Sequence, residues 1–178
     1  MSSFAVGNLI SKEYQQWVIE NMEENSYLLD LNDTWLCYLT PRDNDIAWNP
    51  AADGTRRIPR SVAAISGKAP VFHLQHPEDH GWMYFAIYRG AVAGSLEIDY
   101  EEGCIREESG FESLALFGVS DDTVQELRRR IPLDTTDVGE LFAMVGALND
   151  ALSTDIDFIS YDYVSNREED YSDIIVRK

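Results

Sequence analysis

Cysteine, histidine and basic residues are all scarce in this chain. Two cysteines, Cys37 and Cys104, stand among 178 residues. With no CxxC pair and no regular spacing, a disulfide framework is excluded and reduced thiols are expected. No stretch approaches the run of about 18 apolar residues that a membrane-spanning helix needs. Met1 to Ile10 also lacks the basic start and apolar run of a signal peptide, which points to a cytoplasmic protein. Neither GxGxxG nor GxxxxGK[ST] occurs, so the glycine-rich cradles that hold nucleotide phosphates are missing and no cofactor is expected. The GxSxG elbow of α/β hydrolases is absent as well. Asp43-Asn44-Asp45 is not followed by the Gly and Glu that a calcium-binding EF-hand loop requires.

What the chain has in excess is negative charge. Thirty-two acidic residues face fourteen Lys and Arg, leaving a formal net charge of −18. Between Glu97 and Asp122, nine acids accompany one base, Arg106. Charge of one sign at this density repels nucleic acid and anionic membranes and steers cationic surfaces inward. With 44% apolar and 11% aromatic residues the chain is too hydrophobic to be a disordered acidic tail. The carboxylates therefore belong to a folded surface, and the expected partner is a basic protein.

The patterning predicts a single α+β domain over residues 1–178, mainly an antiparallel sheet packed against about three helices. Tyr14, Trp17, Val18 and Met22 recur at helical spacing behind Ser11, with Asn25 as the stop. Ser26 to Leu39 reads as a hairpin turning at Asn32 and Asp33. Residues 40–68 hold Pro41, Pro50, Gly54, Pro59 and Gly67. They read as a long irregular excursion, with short ordered pieces near Ile46 to Trp48 and Ser61 to Ile65. That excursion carries the basic island Arg56, Arg57, Arg60 and Lys68.

Ala69 to Leu74 and Trp82 to Tyr88 read as strands, the second apolar on both faces and hence central. Arg89 and Gly90 supply a tight turn into Val92 to Tyr100, whose Leu96, Ile98 and Tyr100 alternate with Ser95, Glu97 and Asp99. Phe111 to Phe117 reads as one more strand. Ser120 caps a helix with Asp121 and Asp122 in its first turn and Arg128, Arg129 and Arg130 in its last. A further amphipathic helix from about Thr136 places Val138, Leu141, Phe142, Val145, Leu148 and Leu152 on one stripe. Ile156 to Val164 and Asp173 to Val176 close the domain as strands.

Three groups of residues are candidates for chemistry. His73, His76 and His80, beside Glu78 and Asp79, are metal-ligand types close in sequence, and a metal-dependent hydrolase would use them. Pro77 disfavours the helix that would align them, so metal binding is the alternative and not the expectation. The acids Glu97, Asp99, Glu101, Glu102, Glu107 and Glu108 form the second group. In the third, Asp157, Tyr161, Asp162 and Tyr163 combine carboxylates for orientation with rings for contact area. Trp35, Tyr38, Trp82, Tyr84 and Tyr88 read as core.

In overall design the chain resembles bacterial immunity proteins. The likeness rests on the hairpin segment Trp82-Met83-Tyr84-Phe85-Ala86-Ile87-Tyr88-Arg89-Gly90, the acidic stretch after it and the α+β layout. The resemblance implies a non-catalytic cytoplasmic inhibitor that occludes the basic active site of a toxin, most naturally a nuclease. A second alternative is an acidic mimic of nucleic acid that occupies a DNA-binding protein.

Overall fold

Strands rich in β-branched and aromatic residues, apolar on both faces, build a sheet that must be covered from two sides, and the computed structural model shows that arrangement. It describes residues 4–77, 80–130, 159–171 and 173–177. The strands are β1 (Phe4–Ser11), β2 (Ser26–Asp30), β3 (Trp35–Leu39), β4 (Val71–Pro77), β5 (Gly81–Tyr88), β6 (Ala91–Asp99), β7 (Cys104–Glu108) and β8 (Ile175–Arg177). They form one eight-stranded sheet in the order β7-β6-β5-β4-β1-β3-β2-β8. Every pairing along that order is antiparallel. The fold is thus α+β, as the patterning predicts.

Helices α1 (Gln15–Asn21), α2 (Asp45–Trp48) and α3 (Arg60–Ser66) cover one face. There Val18, Ile46, Val62 and Ile65 pack against Ile10, Leu36, Val71 and Phe85. Helix α4 (Gly110–Ser113), the 3-10 turn Leu114–Phe117 and α5 (Asp121–Arg130) cover the other. On that side Phe111, Leu114, Val124 and Leu127 meet Phe72, Trp82, Tyr84 and Leu96. A last short helix, α6 (Tyr161–Ser165), lies over β2 on this second face. No helix of the described residues is long and apolar enough to cross a membrane.

Four local expectations are corrected. Phe4–Ser11 is a strand in the middle of the sheet, and the helix expected from Ser11 begins as a 3-10 turn at Lys12, becoming α-helical only at Gln15. β7 is an unforeseen edge strand whose sequence, CIREE, has almost nothing apolar to announce it. Phe111–Phe117 is helical and not a strand: Phe111, Leu114 and Phe117, three apart, are its buried apolar residues, and three is the helical interval. Tyr161–Ser165 is helix where the tail of a strand was expected, because Ser160 accepts a capping hydrogen bond from Tyr163 N at 3.2 Å. The amphipathic stretch from Thr136 lies outside the described residues. The Ser120 cap holds, with its hydroxyl accepting from Thr123 N at 3.3 Å.

Candidate acidic docking edge

The β6–β7 hairpin gathers the first group of acids at one edge of the sheet. Asp99 fixes its turn, Oδ1 accepting from the backbone N–H of Glu101 and of Glu102, both at 2.9 Å. Gly103 completes it at φ +59°, a conformation that costs glycine least. Glu101 and Glu102 are thereby held out at the tip, exposed to solvent. Alternation along the strands then divides the rest. Glu97 lies opposite Met83 and Arg106, on the face covered by α1–α3. Glu108 opens onto the same side. Glu107 lies opposite Leu96 and faces α5.

Guanidiniums partly neutralise this edge. Arg106 pairs with Glu97 at 3.2 Å and with Glu102 at 2.6 Å. Its hydrogen bond to Glu97 is the main reason that its pKa rises further. Arg128, from the last turn of α5, reaches back to Glu107 at 3.0 Å and to Glu112, and lies 5.0 Å over the Phe111 ring. Arg128 thus clamps α5 to the acidic edge besides complementing its dipole, whereas Arg129 pairs with Glu126 within the helix at 2.7 Å. His80 Nδ1 meets Glu101 Oε1 at 2.8 Å with both groups exposed. Seven carboxylates between Glu97 and Glu112 are served by these two guanidiniums, so the edge stays negative. Glu108 has no partner among the described residues.

The other sequence candidates lie elsewhere. α6 carries Tyr161, Asp162 and Tyr163 to β2, five strand positions from β6, or roughly 24 Å at the usual spacing. Tyr161 packs at 5.4 Å against Tyr27, and Tyr163 lies 4.1 Å under Arg167. These rings are not part of the acidic edge, and Asp157 is outside the described residues. The three histidines separate too. His73 and His76 lie on opposite faces of β4, His73 fully buried, while His80 is exposed beyond the strand. Glu78 and Asp79 are outside the described residues. The described grouping with metal-ligand types is Asp99, Glu102 and Cys104 instead. Its acids are already engaged in the turn and with Arg106, and the Cys104 thiol is pushed up, chiefly by desolvation.

His73 belongs to a buried polar chain that sequence reasoning missed. Asn8 donates its amide to Tyr38 O at 2.9 Å and to Asp43 Oδ1 at 2.8 Å, so its oxygen faces His73 Nδ1, also at 2.8 Å. His73 must therefore carry its proton on Nδ1, leaving Nε2 to accept from Gln75 Nε2 at 3.1 Å. Asp43 Oδ2 accepts from Thr40 N at 2.9 Å. This chain ties the start of the 40–59 excursion to the sheet, and the excursion then returns over Phe85, where the Arg56 guanidinium lies 5.0 Å from the ring. Arg56 also donates to Ala47 O at 2.7 Å, which fixes the loop that faces the acidic edge.

No family model, curated protein or solved structure matches this chain.

Proposed function

We propose that this chain is a non-catalytic binding protein that docks a basic protein through its β6–β7 edge, acting as an immunity protein that occludes the active site of a nuclease-type toxin. The supporting observation is the ordered hairpin tip: Glu101 and Glu102 are exposed, held by the Asp99 turn, and backed by carboxylates that two arginines leave in excess. Ordered carboxylates on a rigid strand pair lose little freedom when they meet Lys and Arg. They also raise the encounter rate through the field they set up. A nuclease cleft, lined with cations for phosphate, has the matching potential.

Capture of proteins from an extract of the source cells tests this. The wild-type chain should retain a basic protein at low ionic strength, release it on added salt, and inhibit its nuclease activity. The Glu101→Lys/Glu102→Lys variant should lose that protein, whereas an unchanged capture would remove the edge from the account.

A further inference from the structure

β6 is nine residues long and β7 only five, so the sheet edge is unfinished. β7 pairs with Leu96 to Asp99. At Ser109 the chain touches β6 once more, beside Ser95, and leaves the sheet plane through a left-handed residue at φ +48° to begin α4. Among the described residues no strand lies beside Ala91 to Gly94 on that side. Edge segments are commonly protected by Lys, Pro, a bulge or a covering helix; this one lacks Lys and Pro, has a bulge at Ala93 opposite Ala86 and Ile87, and is covered by Ser109 and α4 at Gly94 alone. Its side chains are small, and Ala91 and Ala93 are exposed. The segment forms the floor of a groove of about 690 Å³, walled on one side by the loop Asp53 to Ile58 and on the other by Glu108 and Ser109.

We infer that this groove receives an extended segment of the basic partner, which adds to β6 alongside Ala91 to Gly94 and in line with β7. The inference rests on the reading of the β6–β7 edge as the docking face and names how the partner's chain engages it. Backbone hydrogen bonds along an open edge accept many sequences, and side-chain pockets then select among them. Selection here is by charge. Glu108, exposed and unpaired among the described residues, stands at the β7 end of the groove on the same side of the sheet as Phe85 and Ser95. Of the cations around the groove, Arg56 is committed to Phe85 and Ala47 O and Arg106 to Glu97 and Glu102, and Arg57, exposed on the same loop, does not line it. A Lys or Arg of the incoming strand is therefore the complement of Glu108.

The test is an amide NMR titration of the full chain with the peptide pool Ac-Val-X-Lys-X-Val-NH2, where X is Ala, Ser, Thr or Val. Two control pools carry the same charge, one N-methylated at both X residues and the other at Lys and the last Val. The expected result is saturable shifts at Ala91 to Gly94. One N-methylated pool should bind about tenfold more weakly through lost ladder bonds. Glu108→Gln should weaken the parent pool about threefold. Shifts confined to Glu101 and Glu102, equal in all three pools, would overturn strand addition and leave edge docking standing. No shift at all would also overturn strand addition, with edge docking decided separately by the charge-reversal capture.

Discussion

Asp43→Asn should make the chain lose about 2 kcal/mol of unfolding free energy, relative to wild type, between about pH 6 and about pH 4.5. The reason lies in the buried Asp43–Asn8–His73–Gln75 chain. Burial raises Asp43 from 3.8 to about 7, against the lowering effect of hydrogen bonds from Thr40 and Asn8, with Glu23 adding a smaller upward push. Burial lowers His73 from 6.5 to about 3. A raised carboxyl contributes stability that is complete below 3.8 and is lost as pH rises through about 7. A lowered imidazole does the reverse: its neutral burial is favourable above 6.5, and stability falls as pH drops toward about 3. Between roughly 4 and 6.5 the two slopes oppose each other and cancel, because folding moves one proton from histidine to aspartate without net uptake.

Removing the carboxyl exposes the histidine slope of about 1.4 kcal/mol per pH unit. His73→Gln should show the mirror image, with stability rising on acidification relative to wild type. Urea unfolding at a series of pH values reads both. Variant curves that both run parallel to wild type would show that these groups are not buried in the states assigned here.

Gly81→Ala should cost about 3 kcal/mol or more and lower the melting temperature by roughly 10 °C. Gly81 opens β5 at φ +124°, where a side chain is strained whatever the space. Here there is no space either: an added Cβ would sit 1.9 Å from Ile98 O, a backbone atom of the neighbouring strand. Gly81 pairs with Asp99, so the strain falls at the foot of the acidic turn. The loss of partner binding in Gly81→Ala should therefore exceed what the unfolded fraction explains. Calorimetry together with circular dichroism checks the stability loss, and a melting temperature within about 3 °C of wild type would contradict the packing at this strand pair.

The two-faced apolar pattern of β5 is legible in the sequence, and so are the hairpin β2–β3 and the capped α5. In each, local chemistry and tertiary packing demand the same residues. β1 was not legible because Gly7 and Asn8 interrupt its apolar run. Gly7 is there because Cys37 Sγ would lie 2.7 Å from a Cβ, and Asn8 because its partners come from residues 30 and more positions away. β7 was hidden for the opposite reason: an edge strand with one solvated face needs no core pattern. The acidic stretch from Glu97 to Glu108 coincides with the end of β6, its turn and β7. It could not show that strand alternation sends Glu107 and Glu108 to opposite faces, nor that Arg128 returns from α5 to meet Glu107. Tyr161 and Tyr163 share one face only while their segment reads as strand. A single serine cap, Ser160, decides otherwise.

Site-specific photo-crosslinking shows whether a partner sits on the β6–β7 tip. Benzoylphenylalanine would replace Glu102 at the tip or, as a control, Glu20 on α1, where the side chain is also exposed. Irradiation in source-cell extract at low ionic strength should give an adduct from position 102 to a basic protein, mapped by mass spectrometry to the walls of its substrate cleft, and none from position 20. Adducts to that protein from position 20, with none from position 102, would contradict docking at the tip.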